Sequence, residues 1–117
     1  MANEVVVLPE FSREAKRLAK RYRSFTSDLE RLTQELKNNA LIGVSLGANL
    51  RKIRLAIQSK GSGKSGGARV ITYVLLSEYT IYLLTIYDKS ETETVPLDEL
   101  KALARRIKSE SDLGNKL

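Results

Sequence analysis

Leu50-Arg51-Lys52-Ile53-Arg54-Leu55-Ala56-Ile57 decides the architecture of this chain. Ile53, Leu55 and Ile57 alternate with Lys52, Arg54 and Ala56, so an extended segment presents one apolar face and one partly cationic face. Two further runs rich in β-branched and aromatic residues follow, Ala68 to Leu76 and Thr80 to Tyr87, and the three read as consecutive strands. The Gly-, Ser- and Lys-rich segment Gln58 to Gly67 reads as a mobile loop between the first two. Ser77-Glu78 breaks the apolar stretch from Ile71 to Tyr87, which makes it a hairpin rather than a membrane span.

Upstream, Gly43 to Asn49 reads as a turn region, and Glu4 to Leu8 as a short strand stopped by Pro9. From Pro9 or Ser12 the period changes to that of a helix. Phe11, Ala15, Leu18, Ala19 and Tyr22 form its apolar stripe, and Arg13, Lys16, Arg17, Lys20 and Arg21 occupy the other faces. A second helix near Ser24 to Lys37 carries Phe25, Leu29, Leu32 and Leu36, with Ser27-Asp28-Leu29-Glu30 as a capping box and Asn38-Asn39 as a stop. Downstream, Pro96 opens a helix running to about Lys108, with Leu97, Leu100, Leu103, Ala104 and Ile107 inward; residues 110–117 read as a frayed tail. The order β-α-α-β-β-β-α predicts an α+β fold. A small antiparallel sheet is packed by helices on one face, in one domain spanning residues 1–117.

Composition narrows the chemistry. The 117 residues suffice for one core, and there is neither cysteine nor histidine. Disulfides, thiol nucleophiles and the commonest metal ligand are excluded, so no metal site and no cofactor are expected, and proton transfer falls to Lys, Arg, Tyr, Asp or Glu. The first residues, Met1-Ala2-Asn3-Glu4, lack the basic and apolar regions of a signal peptide, which predicts a cytoplasmic protein with no membrane partner. The net charge of +6 is localised: between Leu36 and Ser77 there is no Asp or Glu, but Lys37, Arg51, Lys52, Arg54, Lys60, Lys64 and Arg69 are present. Passive surfaces intersperse both signs, so this stretch points to an anionic partner, RNA foremost.

Gly61-Ser62-Gly63-Lys64-Ser65-Gly66 matches a dinucleotide fingerprint, but a strand rather than a helix follows it, so no phosphate-binding helix terminus is formed. A flexible loop carrying Lys60 and Lys64 is the simpler reading. Lys52 and Arg54 share one face of their strand, Arg69 opens the next and Lys89 ends the last. A solvated surface is the bland alternative for these four; the missing acids favour a site. Tyr73, Tyr82 and Tyr87 offer rings for base stacking, although strand tyrosines are more often structural. Glu91 and Glu93 lie in a hydrophilic run and read as a solvated connection.

Three runs, Leu50-Arg51-Lys52-Ile53-Arg54-Leu55, Gly63 to Val70 and Ile86-Tyr87-Asp88-Lys89-Ser90-Glu91, together with Phe11 to Leu18, resemble the RelE/HigB-type toxins of bacterial toxin–antitoxin modules in sequence and order. The resemblance implies a microbial-RNase-like fold and a ribosome-dependent endoribonuclease that cuts mRNA in the A site. It also implies a cognate antitoxin, often a helix-turn-helix protein. It assigns catalytic positions to Lys52, Arg54, Arg69 and Lys89; the family's tyrosine falls at Val95, which leaves that role unfilled or passed to Tyr87 or Tyr73. Chemically, paired guanidinium groups suit Arg54 and Arg69 to a phosphorane, cationic neighbours favour the neutral amine that Lys52 needs as a base, and Lys89 is placed to protonate the leaving oxygen. Arg51, Lys60, Lys64, Tyr73 and Tyr87 are the expected RNA contacts. Arg13, Lys16, Arg17 and Lys20 are the expected contacts to ribosomal RNA. A noncatalytic RNA- or ribosome-binding module using the same face is the alternative.

Overall fold

The computed structural model describes the backbone of residues 2–61, 63–92 and 94–116, and their side chains up to residue 108. The elements are β1 (Glu4–Val7), α1 (Pro9–Arg21), α2 (Phe25–Asn38), β2 (Val44–Gly47), β3 (Leu50–Leu55), β4 (Ala68–Leu75), β5 (Thr80–Asp88) and α3 (Leu97–Lys116). Short 3-10 turns occupy Gln58–Lys60 and Leu76–Glu78. The expected α+β architecture is present, with five strands in the order β1-β5-β4-β3-β2.

Three features of the sheet and its cover differ from the sequence reading. The segment expected to be a turn contains β2, which pairs antiparallel with β3 through Val44↔Lys52 and Ser45↔Arg51 before a register shift. Its reversal uses positive φ at Gly47, Ala48 and Asn49. At the far edge, β1 runs parallel to β5, so the sheet is mostly rather than wholly antiparallel. The helices cover both faces instead of one. Phe11, Leu18, Phe25, Leu32 and Leu36 of α1 and α2 bury Ile53, Leu55, Val70, Ile81 and Ile86 on one side, while Leu100, Ala104 and Ile107 of α3 bury Leu50, Ile71, Tyr73 and Leu84 on the other. A register shift between Ile71 and Thr72 turns Leu84 to the α3 side.

The capping-box reading of Ser27 to Glu30 is also replaced. The helix begins at Phe25, and Asp28, fully buried, accepts the Ser24 hydroxyl at 2.7 Å and the Gln58 backbone N–H at 3.1 Å. It therefore ties the α1–α2 corner to the start of the β3–β4 loop. α3 continues beyond the expected stop at Lys108, and the side chains of the expected frayed tail, residues 110–117, lie outside the described residues.

Candidate functional site

The register of the three central strands puts Arg54 opposite Arg69 and Arg69 opposite Tyr87. Cross-strand neighbours of this kind have Cβ atoms about 5 Å apart, so two guanidinium groups and a phenol form one row across β3, β4 and β5. Lys52 lies two residues along β3, about 7 Å from Arg54 and on the same face. The row is fixed from below by Gly67. A Cβ there would collide with the Leu55 carbonyl oxygen, so only glycine lets the neck of the β3–β4 loop close this tightly beside Arg54 and Arg69.

Arg69 is buried, and its guanidinium is clasped by the loop it follows. Nη1 donates to the carbonyls of Lys64 (2.9 Å) and Ala68 (3.2 Å), and Nη2 to that of Ser65 (3.2 Å). Three of the five N–H donors are thus used among the described residues, which leaves two for a ligand. Burial, and then the like charge of Arg54, pull the Arg69 pKa below its ordinary value. Burial pushes the Tyr87 phenol up, against the opposing effects of Arg69 and a hydrogen bond with Thr94. Among the described residues, none of Lys52, Arg54 and Arg69 forms an ion pair with a carboxylate.

The row opens on a groove of ≈ 530 Å³ where β2 diverges from β3, lined by Leu46, Lys52, Arg54, Lys64 and Arg69 among others. A second hollow of ≈ 340 Å³ joins Lys52 and Tyr87 to Val95, Pro96 and Leu97 at the start of α3. Val95 and Tyr87 thus line one hollow. Lys89, exposed, follows β5 with its N–H bonded to the Gly67 carbonyl.

Other expected contacts are placed elsewhere. Arg51 points to the opposite face from Lys52 and bonds the carbonyls of Ile42 (3.3 Å) and Gly43 (2.8 Å). Tyr73 is buried under α3, its ring 6.1 Å from that of Tyr82. Lys60 is held inside a network: its Nζ donates to Asp88 Oδ1 at 2.9 Å and lies 5.2 Å from the centre of the Tyr22 ring. Burial alone would raise the Asp88 carboxyl, but hydrogen bonds from Tyr22, Ser90 and Lys60 hold it well below the usual carboxylate range. Sequence spacing gave no sign of this network, because its members come from α1, the loop and the end of β5. On α1, Arg17 is bound by Glu14 and Glu91, which raise its pKa, and Arg21 also pairs with Glu91; Arg13, Lys16 and Lys20 are exposed. Glu91 is thus a clamp between α1 and the connection after β5, while Glu93 lies outside the described residues.

No group of three or more His, Cys, Asp or Glu side chains converges among the described residues, and no described helix is long and apolar enough to cross a membrane. No family model matches the chain. Among solved structures it is similar to a double mutant of E. coli toxin RelE in the free state, at 17% identity and a TM-score of 0.57, over 80% of this chain and 90% of that one. It is likewise similar to the isolated E. coli RelE toxin, at 15% identity and a TM-score of 0.58, over 89% and 98% of the two chains. The chain has the RelE-type toxin fold.

Proposed function

We propose that this chain is a RelE-type toxin that stops translation by cutting mRNA in the ribosomal A site. The observation that carries the reading is the Arg54–Arg69 pair with Lys52 beside it, lining one groove and matched by no described carboxylate, with Tyr87 next in register. Such a site attracts a phosphodiester and has its cations preorganised where charge develops.

Metal-free cleavage transfers a proton from the ribose 2′-OH, forms a bond from that oxygen to phosphorus and breaks the bond from phosphorus to the 5′ oxygen. Lys52 is the base that takes the first proton. Arg54 and the two remaining donors of Arg69 hold the equatorial oxygens of the phosphorane. Lys89 supplies a proton to the 5′ oxygen. Tyr87, kept as a neutral phenol by burial, occupies the hydroxyl donor position beside Val95. Lys64 is the loop cation that extends RNA contact, whereas Lys60 and Arg51 act through the protein's own framework. A cognate antitoxin would silence the site by covering the cationic row with an acidic or amphipathic segment.

The test is incubation with translating ribosomes and mapping of mRNA ends. Cuts within A-site codons that disappear with Arg54→Ala support the reading. Tight RNA binding with no new ends would assign the chain to the noncatalytic class.

A further inference from the structure

α3 carries basic residues that the sequence reading left unused. Lys101, Arg105 and Lys108 recur at i, i+4 and i+7, so they share one side of the helix, and all three line a groove of ≈ 320 Å³ with Asn49, Tyr73 and Ala104. The stripe is about 10 Å long at the helical rise of 1.5 Å per residue. Among the described residues none of the three is ion-paired; the Arg106 beside them is the one bound to Glu10, at 2.9 Å.

The placement of α3 gives the stripe a direction. Its first turn meets Lys52 and Tyr87 through Leu97 and Leu100, while Lys101 and Arg105 lie over Tyr73 and Asn49. Tyr73 is the register partner of Leu50, and Arg69 that of Arg54. From the Arg54–Arg69 row to the Leu50–Tyr73 row is four residues of strand, about 13 Å. Cations thus follow one another along a single face of the sheet, from Arg54 and Lys52 to Lys101, Arg105 and Lys108. The basic residues of α1 lie against the other face, where Arg17 and Arg21 are already matched by Glu91.

We propose that the Lys101–Arg105–Lys108 side of α3 is a docking track for the phosphates of the RNA strand flanking the cleavage site. This rests on the reading of the Arg54–Arg69 row as an RNA-cleaving site and adds where the strand runs beyond it. The elongated run of three cations, with the exposed Asp98 one turn nearer the Arg54–Arg69 row, suits a flexible polyanion. An acidic protein segment would be drawn by the same charge, and the experiment below separates the two.

The test compares wild type with K101Q/R105Q/K108Q, whose glutamines keep part of each stem over Tyr73 and Asn49, and with K101R/K108R, which keeps the charge. Binding of a fluorescent single-stranded RNA of about twelve nucleotides is titrated at several salt concentrations, alongside cleavage on ribosomes at saturating protein. The expected result is at least tenfold weaker binding by the glutamine variant. Its log–log salt slope should fall by about 1.5–2, as for two or three lost contacts at about 0.7 each. K101R/K108R should match wild type, and saturated cleavage should be unchanged throughout. Unchanged affinity and slope in the glutamine variant, with cleavage still abolished by Arg54→Ala, overturns the track and leaves the cleavage reading standing. Unchanged RNA affinity together with loss of poly-glutamate binding assigns the stripe to a protein partner instead. A wild-type protein that neither binds nor cuts RNA overturns both. If the triple variant fails to fold, Arg105→Glu alone, at an exposed position, carries the same comparison.

Discussion

Replacing Lys60 with alanine removes a cation that touches Asp88 at 2.9 Å and lies over the Tyr22 ring. The Asp88 side chain is wholly buried, so its charge would remain with the Tyr22 hydroxyl and the Ser90 N–H and hydroxyl as donors. Breaking a buried pair from one side costs about 3–5 kcal/mol, and the surviving donors keep the loss near 3 kcal/mol. For a domain of this size that lowers the melting temperature by on the order of 10 °C. Lys64→Ala, at an exposed position, should stay within about 0.5 kcal/mol of wild type while weakening RNA binding. Thermal and urea unfolding at pH 7, repeated down to pH 2, is the assay. The folded-state pKa of Asp88 lies below the unfolded value of about 3.9, so its ionised form contributes stability that is fully present above that value and is lost as pH falls beneath it. Asp88→Asn should therefore be less stable at neutral pH but decline less steeply below about pH 4. If Lys60→Ala unfolds within about 1 kcal/mol of wild type, or Asp88→Asn keeps the full acid decline, the anchor assignment is wrong. Lys60 then returns to the RNA-binding set.

Arg54→Ala should lower single-turnover cleavage about a hundredfold with little change in melting temperature, whereas Arg69→Ala should lower both, since Arg69 also clasps two loop carbonyls and that of Ala68; equal thermal effects would contradict this division. Tyr87→Phe keeps the ring and removes the hydroxyl, and a loss of about tenfold or more in cleavage at unchanged stability is expected if the phenol serves the reaction. A chelator selective for transition metals should leave cleavage intact, given a chain without His or Cys; loss restored by added zinc or manganese would refute the metal-free mechanism.

The central strands were legible because alternation in β3 and the β-branched runs of β4 and β5 leave little choice of element. β2 was not, since Val-Ser-Leu-Gly is four residues long, preceded by Gly43 and ended by Gly47, which together look like turn chemistry. The position of α3 had a readable signal that went unused. β4 buries Ala68 to Val74 without alternation, and a strand covered on both faces needs a helix on each. The proximity of Lys52, Arg54 and Arg69 followed from period-two spacing plus hairpin pairing. The division of labour between Lys60 and Lys64 did not, because two lysines four residues apart in one loop differ only in what the fold brings to meet them. Tyr73 and Tyr87 posed the same problem: both are buried, and their strand registers separate them, Tyr87 opposite Arg69 and Tyr73 opposite Leu50.

The β3–β4 loop is pinned at both ends: Ser59 and Gln58 are tied to the α1–α2 corner, and Gly67 is wedged against Leu55. Between these fixtures the chain can change length or composition without transmitting the change to the paired arginines, provided carbonyls remain where Lys64 and Ser65 now offer theirs. On the proposed reading, selectivity and chemistry would therefore be separable: a loop grafted between Gly61 and Gly66 would change the RNA contacts while the arginine row beneath it kept its spacing.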